Sequence, residues 1–195
     1  MLKLSKMVIC MSVLFAFSGL AFAQAFKELP PPDKTGGKPL MQALALRKTD
    51  RNISSKTLPA QELSNLLWAT WGINRPDGKR TAPTGRDSQK IEVYAVLPDG
   101  VWLYDAPSNG LRQMLSSDET KRYAPAGVVL LYAVDASDPF SQMHVGSLYQ
   151  NAGLYCASAG LANVVKAAGK DALKDKLHPH ENYEVIMVHL IGYAK

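Results

Sequence analysis

The spacing of apolar residues predicts helices in several parts of the chain. From residue 60 to residue 71, apolar side chains recur every three or four positions, which is the period of one helix face. Pro59 suits the first position of this helix, and Gly72 ends it. Shorter helical patterns cover residues 41–47, 116–123 and 170–176.

Other stretches have the apolar pattern of strands. Residues 91–97 and 101–104 flank a Pro-Asp-Gly turn, which predicts a β-hairpin. The unbroken apolar run at 126–134 predicts a strand buried on both faces, and residues 184–193 predict a last strand. Together with the helices, these strands predict an α+β fold in which helices pack on a mixed or antiparallel central sheet.

The interval between Asp138 and Lys166 contains no Asp, Glu, Lys or Arg. Gly, Gln, Asn and Ser residues interrupt its apolar residues, which is unlike a membrane span. The interval therefore predicts a long helix around residues 145–165 that is buried in the core.

The first 23 residues have the pattern of a secretory signal peptide. Lys3 and Lys6 precede an apolar run at 7–17, and Ala21-Phe22-Ala23 is an A-x-A cleavage pattern. We therefore expect an exported protein, periplasmic or secreted, with no membrane span in its mature form.

Length and composition are typical of one globular domain. The 195 residues are 47% hydrophobic and 20% charged, which excludes collagen-like, coiled-coil and wholly disordered chains. After the signal peptide, residues 24–39 are rich in Pro and Gly and predict a flexible lead-in with no folded element. Residues 40–195 are then expected to form a single domain.

Charge and cysteine content exclude two further classes. The formal net charge of +5 falls to +3 without Lys3 and Lys6, and no run of five cations occurs, so nucleic acid is not an expected partner. Cys10 leaves with the signal peptide, so the mature chain can form no intramolecular disulfide. Cys156, within the apolar interval, is expected to be a small buried side chain rather than a nucleophile.

Familiar catalytic motifs are absent from the sequence. It contains no G-x-S-x-G elbow, P-loop, H-E-x-x-H or G-x-G-x-x-G. His178 and His180 could be two metal ligands, but no acidic or cysteine cluster with metal spacing accompanies them, so a solvated turn is favoured. His144 and His189 are expected in the core or on a sheet face. We assign no metal ligand and no catalytic side chain.

Two polar segments could bind a ligand. Residues 47–51 place three cations and a hydroxyl together, which suits a phosphate group, although short charge clusters are often simply solvated. Residues 80–89 combine a Pro-Thr-Gly turn with amide and carboxylate side chains, which could contact the edge of a heterocycle. By composition alone, this second segment is also an ordinary loop.

The order of five segments is more informative than any one of them. RKTDR at 47–51 is similar to R-R-S-x-R, and LSNLLWATWGI at 63–73 to L-S-x-L-L-W-A-x-x-G-I. The loop at 80–89, RTAPT followed by a glutamine, is similar to R-T-A-P-S-x-x-N-x-Q. QN and YCASAGL within 150–161 are similar to a helix that ends in A-x-G-L-G, and EVIMVHLIGY at 184–193 to a closing strand with G-Y. In these segments the chain resembles the FMN-dependent nitroreductase family, particularly its branch related to the azoline (thiazoline and oxazoline) oxidases of peptide-toxin biosynthesis.

The resemblance implies an FMN site built from several parts of the chain. The residues expected to hold the phosphate and ribityl chain are Arg47, Lys48, Thr49 and Arg51. Those expected to line the isoalloxazine ring are Pro83, Thr84, Gly85, Asp87 and Gln89. Those expected near the reactive N5 atom are Val165, Lys166 and Ala167.

Two positions depart from the family pattern. Asp87 stands where the family has an asparagine, and a carboxylate there would lower the flavin potential unless it is protonated or paired, for example with Arg86. The sequence stops at Lys195, whereas family members commonly continue with basic residues that reach the phosphate. Lys195 could substitute for those residues or could be a frayed terminus.

The family also implies an activity and an assembly. Flavin N5 transfers two electrons as hydride, and the protein positions the cofactor. Family members are homodimers with FMN at the subunit interface, for which the charge-free helix would be a suitable core. We expect an exported FMN-dependent oxidoreductase with a small-molecule substrate, and a quinone, oxygen or a redox protein as electron partner. The alternative is an inactive flavin-binding or partner-binding protein on the same fold, which turnover with artificial electron donors would distinguish.

Overall fold

The computed structural model describes residues 24–195, and the signal peptide predicted over residues 1–23 lies outside the described residues. Within residues 24–195, no helix is both long and apolar enough to cross a membrane. The elements, in chain order, are β1 (Phe26–Glu28), α1 (Leu40–Leu46), α2 (Ala60–Trp71), β2 (Ile91–Leu97), β3 (Gly100–Asp105), β4 (Gly110–Leu115), β5 (Val128–Asp135), α3 (Ser141–Ala159), β6 (Leu161–Lys166) and β7 (Tyr183–Tyr193).

The strands form one sheet in the order β1-β4-β3-β2-β5-β7-β6. The predicted hairpin is present as β2 and β3, which pair from Leu97↔Gly100 to Tyr94↔Leu103. Every neighbouring pair is antiparallel, including β7 with the edge strand β6. The α+β class is therefore confirmed, and the sheet is antiparallel rather than mixed.

The two faces of the sheet are covered by different parts of the chain. Helices α2 and α3 pack on one face, against side chains that include Tyr132 of β5. On the opposite face, Leu131 packs with Leu173 and Leu177 from the segment that follows β6. Alternate residues of β5 thus enter two cores, which explains why all its residues are buried and apolar up to the final Asp135.

The charge-free interval forms a helix and a strand, so the single helix predicted around residues 145–165 is wrong in its second part. Helix α3 ends at Ala159, and Gly160 follows in the left-handed conformation, with a φ of 76°. A glycine in this position commonly terminates a helix. The chain then enters β6 directly, where Val164 and Val165 suit an extended backbone.

The lead-in predicted over residues 24–39 contains a folded element. Phe26–Glu28 forms β1, which pairs antiparallel with β4 and makes one edge of the sheet. The sequence pattern predicts neither strand, because three residues carry too little periodicity and the GLRQML sequence of β4 has little β-branched content. Their pairing depends on contacts between residues more than 80 positions apart in sequence.

The short helix predicted over residues 170–176 is also wrong, since these residues form successive turns. Leu173 is drawn into the second core, and Lys176 donates to the buried Glu119 carboxylate at 2.7 Å. The backbone hydrogen bonds here close i→i−3 turns, such as Ala172 N–H to the Gly169 carbonyl at 3.1 Å and Lys174 N–H to the Asp171 carbonyl at 3.1 Å.

Residues 116–123 contain only one 3₁₀ turn, Thr120–Arg122, in place of the predicted short helix. The Glu119 carboxylate accepts hydrogen bonds from Lys176, Ser117 and Arg122. These bonds lower its pKa to about 2, and the bond from Lys176 contributes most to the shift. Side-chain bonding to this carboxylate organises the segment locally.

Candidate functional site

The predicted phosphate-binding segment, residues 47–51, leaves the end of α1 and runs beside the edge strand β6. The Asp50 N–H donates to the Asn163 carbonyl at 2.8 Å, and the Ser54 N–H donates to the Tyr193 carbonyl at 2.8 Å. Ile53 is buried and bridges to Ala194. The backbone is thus fixed by the sheet edge while the cationic side chains remain at the surface.

Two guanidinium groups on this segment are not neutralised. Arg47, Lys48, Thr49 and Arg51 are all exposed. Lys48 lies 3.4 Å from Asp50, whose pKa is lowered by a hydrogen bond from the Asn52 N–H and then by Lys48. Within residues 24–195, Arg47 and Arg51 form no ion pair and donate no side-chain hydrogen bond. They are the donors that a phosphate ester requires.

The last residue lies against this segment. The Lys195 N–H donates to the Asn52 carbonyl at 3.0 Å, and the Asn52 amide donates back to the Lys195 carbonyl at 3.3 Å. Lys195 is therefore held one residue away from Arg51. Lys195 was predicted either to substitute for the basic residues of the family or to be a frayed terminus. These hydrogen bonds favour the first alternative, because they hold Lys195 near Arg51.

The second predicted segment, residues 80–89, is a loop whose polar side chains bond to one another. Arg80 Nε donates to Gln89 Oε1 at 2.8 Å, and its guanidinium lies 5.0 Å from the centre of the Trp71 ring. The Gln89 N–H donates to Thr84 Oγ1 at 3.2 Å, and Gln89 Nε2 donates to Asp87 Oδ1 at 3.0 Å. Gln89 thus connects the two ends of the loop.

Three non-glycine residues in this loop have left-handed backbones. The φ values are 54° for Arg86, 54° for Asp87 and 47° for Gln89. Each such residue costs about 1 kcal/mol or more, and the conformation persists only where surrounding contacts impose it. Strain of this kind is concentrated at ligand-binding sites.

Helix α3 and the turn that precedes it hold the loop in place. The Gly85 N–H donates to His144 Nε2 at 2.7 Å, and Asn151 Nδ2 donates to the Thr81 carbonyl at 3.1 Å. Ser88 Oγ donates to Asp138 Oδ2 at 3.2 Å, and the same oxygen lies 3.5 Å from His144 Nδ1. Because Nε2 accepts the Gly85 proton, the neutral His144 ring carries its own proton on Nδ1, facing Asp138.

The anchoring role of His144, Asn151 and Asp138 is not among the sequence predictions. His144 was expected in the core or on a sheet face, and the side chain is indeed buried, but it also holds the loop through its hydrogen bond. The only available signal was the presence of polar side chains in an otherwise apolar helix. Such residues need partners when buried, and here the partners lie in the loop.

Asp87 is not paired with Arg86, contrary to one of the two ways proposed for neutralising it. Within the described chain Asp87 forms no ion pair, and its exposed carboxylate accepts only the hydrogen bond from Gln89. The Asp87 carboxylate therefore lies at the loop surface with no cation within ion-pair distance in residues 24–195.

The third predicted group lies at the end of β6. Val165 and Lys166 are half-buried, and Ala167 is exposed just beyond the strand. Asn163, two positions earlier on β6, receives the backbone hydrogen bond from segment 47–51. The structure thus brings the 47–51 segment, Lys195 and β6 together, whereas loop 80–89 contacts α3 and α2. No hydrogen bond or ion pair within residues 24–195 joins the segment to the loop.

Two other sequence motifs can be placed. Cys156 is completely buried in α3, and burial raises the pKa of its thiol, which disfavours the reactive thiolate. His178 and His180 are exposed. Within the described residues, no three His, Cys, Asp or Glu side chains are grouped as metal ligands would be.

The fold is an antiparallel α+β sheet with helices on one face, and comparison with known proteins identifies its family. A crystal structure of a candidate nitroreductase from Ralstonia eutropha JMP134 is 34% identical, covers 87% of this chain and 90% of its own, and superposes with a TM-score of 0.80. A candidate nitroreductase of Methanocaldococcus jannaschii is 25% identical over 158 residues, covering 68% of this chain and 80% of its own. No protein-family model matches the chain. The chain belongs to the nitroreductase family.

More distant structures share the fold. The Escherichia coli microcin synthetase McbBCD complex contains a chain with a TM-score of 0.60 and 16% identity, covering 98% of this chain and 76% of its own. A nitroreductase with bound FMN from Bacteroides fragilis has a TM-score of 0.57 and 16% identity, covering 81% of this chain and 89% of its own. At this level of identity, the likeness is evidence for the nitroreductase-like fold only.

Proposed function

We propose that this protein is an FMN-dependent oxidoreductase. The observation that carries the proposal is the pair of guanidinium groups, Arg47 and Arg51, which no carboxylate in residues 24–195 neutralises and which share one short exposed segment. Two Arg forks at this spacing can bind a phosphate ester through charge-assisted hydrogen bonds. The FMN bound to the Bacteroides fragilis nitroreductase supports a flavin as that ester.

The residues present fit such a cofactor at both ends. Arg47, Arg51 and Lys195 would hold the phosphate, with Lys48 and Thr49 beside them. The strained loop would present Thr84, Gly85 and Gln89 to the ring, with Pro83 and Asp87 next to them. Val165, Lys166 and Ala167 would lie toward the N5 side. Bound FMN supplies two-electron transfer as hydride at N5, so the protein needs only to position the ring and tune its potential.

A homodimer would join the two halves of the site. Within one chain the 47–51 segment and the 80–89 loop make no hydrogen bond with each other, so a second chain could bring each half against its counterpart. Exposed apolar side chains support such an interface: Met41 of α1 is 75% exposed and Met143 of α3 is 69% exposed. Sedimentation of the FMN-loaded protein as a monomer would contradict this part of the proposal.

The predicted signal peptide supports an exported protein, in a location where nicotinamide cofactors are scarce. We propose a small organic substrate as the electron donor, and a quinone, oxygen or a redox protein as the electron partner. The sequence does not choose among these partners.

The first experiment is the visible absorption spectrum of the purified protein, followed by titration with FMN. We expect a flavin band or saturable FMN binding, and turnover with an artificial electron donor and acceptor. If FMN does not bind, the proposal is rejected, and a partner-binding role without cofactor becomes the better explanation.

A second candidate function is supported by Asp87. Its carboxylate lacks a cationic partner in the described chain, and a negative charge near the ring disfavours the anionic reduced flavin. FMN binding without turnover would favour an inactive flavin-binding protein over an enzyme.

A further inference from the structure

A chain of buried polar side chains crosses three neighbouring strands beneath α3. The Tyr132 hydroxyl of β5 lies 3.0 Å from His189 Nδ1 of β7, and His189 Nε2 lies 3.1 Å from Asn163 Oδ1 of β6. Tyr132 and His189 are completely buried, and Asn163 is 8% exposed. Buried polar groups are costly unless they are hydrogen-bonded, so this arrangement needs an explanation.

The direction of each hydrogen bond in this chain can be assigned. Burial lowers the pKa of His189 to about 3, so the ring is neutral and carries one proton. Within the described residues, the Tyr132 hydroxyl has only His189 Nδ1 as a partner. Because the buried hydroxyl proton needs an acceptor, Tyr132 donates to Nδ1. The histidine proton is consequently on Nε2, where it is donated to Asn163 Oδ1.

This assignment turns the amide nitrogen of Asn163 away from the core. Asn163 Nδ2 makes no hydrogen bond with residues 24–195. It is also not one of the fully buried polar side-chain atoms that lack a hydrogen-bond partner. Within residues 24–195 those atoms are Tyr123 OH and His144 Nδ1. The amide nitrogen therefore reaches solvent at a cavity of about 320 Å³ that Asn163 lines together with Leu46, Lys48 and Asp50.

The cavity offers more donors than acceptors. Lys48 and Lys38 line it, with one Lys38 ammonium proton donated to the Ser158 carbonyl at 2.6 Å, and the Asn163 amide adds two N–H groups. The one carboxylate, Asp50, is already occupied by the Asn52 N–H and by Lys48. An oxygen-rich anionic group is the ligand that these donors favour.

We propose that Asn163 is a further cofactor-binding residue, whose amide N–H groups donate to an oxygen of the phosphate–ribityl tail of FMN. The inference rests on the proposed function and adds one residue to the site. Tyr132 and His189 are positioning residues, because they hold the Asn163 oxygen inward and its nitrogen outward. The cavity adjoins the 47–51 segment through Lys48, which brings the amide to the phosphate end of the site.

The test uses Asn163→Asp, which keeps the acceptor for His189 but removes both amide donors. We expect the dissociation constant for FMN to rise at least about tenfold in a protein that still folds but melts at a lower temperature, because a carboxylate is costly at this buried position. Titrations of the variant and of the wild-type protein at low and high salt separate a lost hydrogen bond from charge repulsion, since the ratio of their dissociation constants depends on salt only if the new charge repels the cofactor. Titrations with riboflavin, which lacks the phosphate, separate a ribityl contact from a phosphate contact.

A second measurement does not depend on the variant folding. In ¹⁵N-labelled wild-type protein, the side-chain amide resonances of Asn163 should shift when FMN binds. Asn109 is the internal control, because its amide nitrogen already donates to the Pro30 carbonyl and to Ser64. Its resonances should not move.

The failures of the two proposals are distinguishable. Absence of FMN binding by the wild-type protein would overturn the proposed function and this inference with it. If the wild-type protein binds FMN while the Asn163 amide resonances stay unmoved, or the folded Asn163→Asp protein binds FMN as tightly at both salt concentrations, only the role of Asn163 is overturned.

Discussion

The two halves of the proposed cofactor site use their polar side chains in opposite ways. In segment 47–51, Arg47 and Arg51 have no partner within the described chain and remain in water. In loop 80–89, Arg80 and Gln89 are bonded to each other, and α3 holds the backbone at Gly85. Both halves are polar segments in the sequence. The side chains of the first are free to bind an anion, whereas those of the second form hydrogen bonds that fix the loop conformation.

The difference follows from what each half must do. Unpaired cations are inexpensive at the surface and expensive when buried, so a charge reserved for a ligand is best kept exposed. A backbone with three left-handed residues needs bonds to hold it before any ligand arrives. Substitutions in the segment should therefore change ligand affinity alone, whereas substitutions at the loop anchors should change affinity and stability together.

The largest effect is expected from the double substitution Arg47→Ala and Arg51→Ala. Each charge-assisted hydrogen bond is worth about 1.5–3 kcal/mol, so losing two should raise the dissociation constant for FMN by about 100-fold or more. The melting temperature should not change, because neither side chain has a partner in residues 24–195. Fluorescence titration and thermal denaturation measure the two quantities.

The matched control is Lys121→Ala with Lys174→Ala, which removes the same charge from exposed positions elsewhere. An equal loss of FMN affinity in this control would mean that net charge, and not a phosphate site at residues 47–51, is responsible.

A smaller effect, on both stability and FMN affinity, is expected from His144→Leu. The Gly85 N–H loses its acceptor, which should lower the free energy of unfolding by about 1 kcal/mol. Because the loop is then less firmly held, FMN affinity should also fall, by about the fivefold that a similar energy allows. Chemical denaturation and FMN titration of the same preparation measure both.

His144→Gln is the comparison variant, since its amide oxygen can still accept a hydrogen bond. It should recover part of both losses. If His144→Leu lowers stability but leaves FMN affinity intact, the loop does not contact the cofactor, and the contrast between the two halves loses its functional meaning.

The smallest effect is expected from Asp87→Asn, which keeps the acceptor for Gln89 and removes the charge. Relieving repulsion of roughly 1 kcal/mol from the reduced flavin should raise its two-electron midpoint potential by about 20 mV. Spectroelectrochemical titration of the FMN-loaded protein measures the potential. An unchanged or lower potential would show that the Asp87 carboxylate does not face the ring.

The parts of the fold with strong local periodicity were predictable from sequence. Helix α2, the β2–β3 hairpin and the doubly buried β5 each have a pattern that local contacts and burial both favour. The edge strands β1 and β6 were missed. Their extended conformation depends on pairing with distant strands, and in β6 the apolar residues also fitted a helix.

The residues of the proposed site also differ in how far the sequence predicts them. The segments proposed to bind the ligand stand out because exposed polar groups such as Arg47 and Arg51 have no structural partner within residues 24–195. The residues that hold the site, including His144 and Asn163, lie within apolar stretches and resemble core residues until their partners are known. Hydrogen bonds across the sheet or between a helix and a loop leave no regular spacing in the sequence.

The single-residue junction at Gly160 has a consequence for how this chain can vary in length. Helix α3 holds the loop through His144 and Asn151, and passes without any connecting loop into β6, which carries Asn163. Since each helical residue adds about 1.5 Å and turns about 100°, one insertion or deletion between Asn151 and Gly160 would turn His144 away from Gly85. The number of residues in α3 therefore determines how loop 80–89 is positioned relative to β6. Insertions and deletions should be tolerated in the surface turns but not in α3.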